Sequence, residues 1–348
     1  MTTQGADAGL INKVKAAVPR PLKVILRPMV RPWLAPPPAD PYACADRGVG
    51  NEWTIVDRER TYKFFFLCGS WKSGTHWVQA LINLHPKAYM TGEFHFELIH
   101  GGFSSYLKRR WRLPAKSRVL QDIAHESLRR CIRRSMFAQT RSHPEAVMLG
   151  DRSPRILKAM LPGAPHILLH RDGRDLLISR SYHMLRTNNP GAMLPQFAHL
   201  LRRWGPEYKL SPEKFRDTTI GLLGDDDWVR YLSRFWAESC LHDLKAMPRL
   251  ISRGTPVHFI RYEDLHADLE GNRAAIYRFL GLDPAEAAPP SVETKTLPGF
   301  KSENLKSATR KGQSGEWRCS FTDRITRIFK EEAAEALVQM GYEKNTNW

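Results

Sequence analysis

The chain has 348 residues, 42% of them apolar, and a mean hydropathy of −0.44. It can bury a sizeable core in one large domain or two small ones, and it holds no apolar run near the roughly 18 residues of a membrane span. Fifty-three basic against 36 acidic side chains give a net charge of +17, a field that draws polyanions such as nucleotides, acidic glycans, nucleic acid or an anionic membrane.

Cys44, Cys68, Cys131, Cys240 and Cys319 are scattered and odd in number. That argues against a disulfide framework or a zinc site, and for reduced thiols in a cytoplasm. Residues 1–59 mix Pro and Arg with few acids and lack the continuous apolar centre of a signal peptide. They read as a basic Pro-rich extension before a single domain over 60–348. That extension could also touch an anionic membrane surface.

Regular structure is expected from about Tyr62. "YKFFFLCG" is a nearly continuous apolar run, as in a buried parallel strand, and "GTHWVQALINLH" has helical spacing. Helical stretches follow over about 104–140. "PHILLHRD" (Pro165–Asp172) predicts a second strand and "GRDLLISRSYHML" the helix after it. Residues 226–247 predict a helix with Asp225, Asp226 and Asp227 at its start, opposing the helix dipole. "PVHFIRYEDL" (Pro256–Leu265) predicts a third strand and "RAAIYRFLGL" a third helix. Alternation of this kind implies an α/β fold with a central parallel sheet flanked by helices, with ligands at the carboxyl ends of the strands.

The first strand–helix turn, "LCGSWKSGTHW" (Leu67–Trp77), has glycines at 69 and 74. In a Walker loop, lysine follows the second glycine. Here Thr75 follows it, and Lys72 lies two positions before. The loop still suits an anion: glycines allow close backbone approach, a helix N-terminus supplies N–H groups, and Lys72, Ser73 and Thr75 add charge and hydroxyls. "GSWKSGTHW" resembles the 5′-phosphosulfate loop, P-K-S-G-T-T-W, of the sulfotransferases that use 3′-phosphoadenosine 5′-phosphosulfate (PAPS), with Trp71 for the proline and His76 for the second threonine. The resemblance implies the P-loop-like sulfotransferase fold with helical inserts. It assigns Ser70, Trp71, Lys72, Ser73, Gly74, Thr75, His76 and Trp77 to the nucleotide, with Trp77 against the adenine.

Two later segments fit the same family. "HRDGRDLLISRS" resembles its 3′-phosphate motif, with Arg171 and Ser179 eight residues apart, able to grip one phosphate by guanidinium and hydroxyl. Gly173 stands where the family has proline, and Arg174 and Asp175 are expected to make structural contacts. "RKGQSGEWRCSFT" (Arg310–Thr322) resembles the C-terminal segment in which Arg310, Lys311 and Gly312 cover that phosphate. Tyr262 of "IRYEDL" matches a tyrosine near the adenine. The resemblance spans about residues 60–340.

Sulfuryl transfer needs an oriented acceptor, a base, and cations for the leaving phosphate; the family needs no metal. Lys72 is the natural stabiliser. The cytosolic branch uses a histidine in K-T-H-L-P, whereas "RILKAMLP" here has Met160 at that place. "LHPKAYMTGEFHFE" is more similar to the carbohydrate branch, which uses a glutamate. This makes Glu93 the expected base and His95 its rival, since in an alternating strand both would face the same way. "LGDRSPRIL" places Arg152 where that branch often has a catalytic lysine. Kinase or nucleoside triphosphatase chemistry with ATP and magnesium, and a non-catalytic polyanion-binding module, are the competing classes. The first lacks Gly-Lys-[ST] and the second lacks a nucleic-acid reader motif. The expected acceptor is a small molecule or a glycan, with carbohydrate ahead of a lipid, a natural-product alcohol or a peptide tyrosine, and nucleic acid is not expected as a partner. Basic residues Lys108, Arg109, Arg110, Arg112, Arg202 and Arg203 and aromatic residues Phe94, Phe96, Phe103 and Tyr106 are expected in the acceptor walls.

Overall fold

The computed structural model describes residues 53–348 apart from 97, 100, 103–104, 106–117, 154–160, 162, 298–302 and 308–309. Most of the expected extension, the cluster Lys108–Arg112, Phe103, Tyr106 and Met160 therefore lie outside the described residues.

Among the described residues the strands are β1 Thr54–Asp57, β2 Arg60–Gly69, β3 Ala88–Tyr89, β4 Met148–Ser153, β5 His166–His170 and β6 Val257–Arg261. They form one sheet in the order β3-β4-β2-β5-β6, with all four of these neighbouring pairs parallel. β1 falls in the stretch read from the sequence as an extension. It turns back on the start of β2 as an antiparallel hairpin, Asp57 opposite Arg60, through Arg58 and Glu59 with φ of 47° and 71°. Left-handed residues at both turn positions match the twist of paired strands. No helix among the described residues is long and apolar enough to cross a membrane.

The helices are α1 Thr75–Ile82, α2 Arg118–Phe137, α3 Gly173–Thr187, α4 Ala198–Leu210, α5 Asp226–Ile251, α6 Tyr262–Ala267, α7 Leu269–Phe279, α8 Trp317–Ser320 and α9 Asp323–Gln339. β2 and β5 are buried along nearly their whole apolar runs because helices cover the sheet. Phe65, Leu67, Ile167 and Leu169 pack with Val78 and Leu81 of α1 and with Ile276 and Tyr277 of α7. A second core joins α3, α4, α5 and α9 around Trp228, Trp236 and Phe329. Asp225 caps α5, its carboxylate accepting from Trp228 N at 2.8 Å, with Asp226 and Asp227 in the first turn.

Register puts the chemistry on one edge. Leu67 sits opposite both Arg152 and Ile167, and His170 opposite Arg261. The residues that follow Gly69, Arg171 after β5 and Tyr262 after β6 thus leave the same carboxyl edge as Arg152. Two elements differ from expectation. β6 ends at Arg261, and Tyr262–Leu265 open α6, where Arg261 forks onto Asp264 at 2.9 Å. β3 is two residues long, and Gly92–His95 is not a strand: Gly92 has φ 151° and His95 φ 55°. Side chains hold this segment in place of a ladder. The Asn83 carboxamide bonds Met90 N and O, the Gln139 side chain accepts from Thr91 N, and Asp151 accepts from Phe94 N.

Candidate active site

β2 delivers the chain to Gly69, and the loop closes with Ser73 N donating to Ser70 O at 3.0 Å. Lys72 and Gly74 both take left-handed φ, 73° and 104°. At Gly74 glycine is required twice over, because a Cβ there would lie 2.5 Å from the Tyr262 ring. Gly74 is the N-cap of α1 and no side chain caps the helix, so no protein side chain competes for its first N–H groups. Ser73 is fully buried and its Oγ has no protein partner.

Arg171 ties the three motifs together. It donates to Gln313 O at 2.7 Å and to Lys72 O at 3.3 Å, and its guanidinium lies 4.5 Å over the Tyr262 ring. Its Nε is buried without a partner. Asp175 accepts from Gly315 N at 2.6 Å and Trp317 N at 3.0 Å, which tethers the C-terminal loop; burial pushes its pKa up, against the pull of Arg171 and both amides. Arg174 forks onto Asp172, reaches Glu343 at 2.5 Å and stacks on Trp317. Arg310 pairs with Glu303 and Glu316, and Lys311 lies 3.9 Å from Glu316. Gly173 is more than a tolerable turn residue: a Cβ there would lie 2.3 Å from Trp236, whose Nε1 donates to Arg171 O at 3.0 Å.

Glu93 and His95 are separated by the structure. Glu93 Oε1 accepts from Arg152 Nε at 3.0 Å, and Arg152 also donates to Gln79 Oε1 at 2.8 Å. Glu93 and Arg152 line the cavity; the His95 side chain is 51% exposed, stands 3.7 Å from Glu93 on its other oxygen, and is not part of the lining. Phe96 is buried and stacked on Phe94 at 5.2 Å, and neither lines the cavity. Arg202 and Arg203 are exposed on α4.

These elements enclose a cavity of about 580 Å³. It brings together Trp71, Lys72, Gly74, Thr75, His76, Trp77, Glu93, Arg152, Arg171, Ser179, Tyr262, Arg310, Lys311 and Gly312. Ser70 and Ser73 belong to the same loop but are not part of the lining. Trp77 Nε1 donates to Thr296 O at 2.7 Å, and Thr294, Lys295 and Leu297 complete that wall. These residues have no motif to mark them. His183 also lines the cavity, with Nδ1 2.9 Å from Arg186. Its spacing of four from Ser179 on one helix was the available signal.

Burial and then Arg186, Arg171 and Arg310 hold the Lys72 pKa down to about 8. His76 is lowered by burial, then by Arg152 and Lys72, while Glu93 opposes them. His183 is lowered to about 4 by burial, then by Lys72, Arg186, Arg180 and His76. Mutually opposed cations, an orphaned hydroxyl and an orphaned guanidinium N–H are what an anionic ligand would satisfy.

The sulfotransferase domain family matches residues 63–341. No curated protein sequence matches the chain. Solved structures with similarity include a mouse sulfotransferase complexed with PAP, at 17% identity and TM-score 0.41 over 83% of this chain and 96% of that one. A sulfotransferase from Alicyclobacillus acidocaldarius follows at 16% and 0.40, over 83% and 97%. Retinol dehydratase in complex with androsterone and PAP stands at 17% and 0.38, over 79% and 80%. With the family matched over most of its length, the chain belongs to the PAPS-dependent sulfotransferases.

Proposed function

We propose that this enzyme moves the sulfuryl group of PAPS to a hydroxyl of a carbohydrate acceptor, with Lys72 as electrostatic stabiliser and Glu93 as base. The observation that carries the reading is the single cavity shared by Lys72, Arg171, Ser179, Arg310, Glu93 and Arg152. Ser73, Thr75 and the uncapped start of α1 would hold the 5′-phosphosulfate. Arg171, Ser179, Arg310, Lys311 and Gly312 would hold the 3′-phosphate. Trp77 and Tyr262 would flank the adenine. PAPS supplies an activated sulfuryl group on a good leaving phosphate.

Lys72 neutralises charge developing on the leaving oxygen, a contribution of about 2.7–4 kcal/mol for one preorganised donor. Glu93 takes the acceptor proton. Arg152, locked between Glu93 and Gln79, fixes the direction of that carboxylate, whose other oxygen, 3.7 Å from His95, would meet the acceptor. The carbohydrate assignment rests on the glutamate-type segment around Glu93.

Calorimetric titration with PAP against ATP and magnesium, in wild type and Lys72→Ala, tests the nucleotide half. PAP binding that weakens in the variant, with ATP much poorer, is expected; no PAP binding by folded protein refutes it. Labelled PAPS offered to sugar, phenol, lipid and tyrosyl-peptide hydroxyls then tests the acceptor. With that acceptor, Glu93→Gln is expected to lose about 10²–10⁴-fold in kcat with PAP affinity retained, and near-normal turnover sinks the base.

A further inference from the structure

His183 belongs to none of the motifs, yet it stands one turn of α3 beyond Ser179 and lines the same cavity. Its Nδ1 lies 2.9 Å from Arg186 Nη2. Guanidinium nitrogens only donate, so Nδ1 is the acceptor and carries no proton. In the neutral ring the one proton then sits on Nε2, on the side of the imidazole away from Arg186. Among the described residues Nε2 has no hydrogen-bond partner.

The surroundings keep the ring neutral: burial acts first, then the charges of Lys72, Arg186, Arg180 and His76. His183 lines the same cavity as Lys72, His76, Glu93 and Arg152.

We propose that His183 Nε2–H donates a hydrogen bond to the sulfuryl group of PAPS, and that Arg186 is the positioning residue that fixes the ring's tautomer. This rests on the reading of the cavity as the PAPS site. During transfer the bond from sulfur to the 5′-phosphate oxygen breaks, its electron pair leaving with PAP. The bond from sulfur to the acceptor oxygen forms, and the acceptor proton goes to Glu93. His183 neither gives up nor takes a proton. It is a fixed neutral dipole aimed at the sulfuryl oxygens, and it stabilises their charge without adding another cation beside Lys72. The role needs the proton on Nε2, which is what the Arg186 contact secures.

The test needs no knowledge of the acceptor. Protein labelled with ¹⁵N-histidine is observed by two-bond ¹H–¹⁵N correlation, and His183 is assigned by its absence in His183→Gln. The expected spectrum shows the Nε2–H tautomer, and PAPS moves the Nε2 signal while PAP leaves it nearly unchanged. In binding measurements His183→Ala is expected to weaken PAPS about tenfold and leave PAP unchanged. Gln, which carries an N–H at the reach of Nε2, restores most of the loss; Asn, whose amide ends near the Nδ1 position, does not. An Nδ1–H tautomer, equal shifts with PAP and PAPS, or equal losses of both affinities overturns the proposal. Should the alanine variant not fold, the wild-type spectra decide it alone. Failure of PAP itself to bind wild type is a different result, which removes the nucleotide reading beneath it.

Discussion

Lys72 makes the nucleotide reading testable through protons. Its pKa is held down to about 8, by burial first and then by Arg186, Arg171 and Arg310. An anion beside it favours the ammonium form and raises that value. At pH 9 about nine-tenths of empty protein has neutral Lys72, against about one-tenth at pH 7. Binding of PAP should therefore take up about 0.9 proton at pH 9 and about 0.1 at pH 7, and its affinity should fall about tenfold over that range. At pH 9 the phosphates of PAP do not confuse the count, because their second ionisation, near pH 6, is complete; at pH 7 each still carries about 0.1 proton, so the pH 9 value decides. Calorimetry at each pH in two buffers of different ionisation enthalpy measures the uptake directly. Lys72→Met should bind more weakly and show no added uptake at pH 9. Uptake below about 0.3 proton in wild type at pH 9, or the same uptake in Lys72→Met, refutes the placement of Lys72 against the ligand.

Two further outcomes follow from buried carboxylates. Asp175→Ala removes the acceptor for Gly315 N and Trp317 N. Thermal denaturation should show a loss of about 1.5–3 kcal/mol, as for hydrogen bonds to a charged group, and titration should show weaker PAP binding as the loop with Lys311 and Gly312 is released; unchanged PAP affinity would deny that tether. Burial raises the Glu263 pKa to about 7, only partly offset by the Asp172 amide. Its folded value lies above the unfolded one, so the stability it contributes is full below about pH 4.5 and is lost as pH rises through 7. Urea denaturation from pH 5 to 8 should therefore show wild type falling relative to Glu263→Gln by up to roughly 1.4 kcal/mol per pH unit, and parallel profiles would contradict the assignment.

The parts of the site that were legible in the sequence are those a single turn builds. Gly69 to Trp77 is one strand end, loop and helix start, so spacing along the chain is also spacing in space. Arg171 and Ser179 are likewise a strand end and the helix that follows. What sequence missed depends on side chains from elsewhere. The Glu93 segment has strand-like alternation, but Asn83 and Gln139 bind its backbone and His95 takes a left-handed φ, so Glu93 turns into the cavity and His95 does not. The wall at Thr294–Leu297 is fixed by the Trp77 indole reaching Thr296 O, 219 residues away in sequence. The glycine at 173 looks permissive in sequence because its neighbour Trp236 comes from α5.

His183 shows why helix register carries more information than a motif does. Arg171 enters just before α3, and Asp175, Ser179, His183 and Arg186 follow within it at steps of four, four and three, the repeat of a single helix face. Their contributions differ. Arg171 meets the loop and Tyr262, Asp175 holds the C-terminal segment, Ser179 and His183 line the cavity, and Arg186 fixes the His183 ring. The face is rigid because the opposite side of α3 is sunk in the core with α5 and α9, and because Trp236 packs directly on Gly173. A family pattern that stops at the serine therefore stops halfway along the helix face that builds the site. Under the proposed reading His183 meets the sulfuryl group rather than the 3′-phosphate, and it is there that this chain can differ from others that hold the same nucleotide.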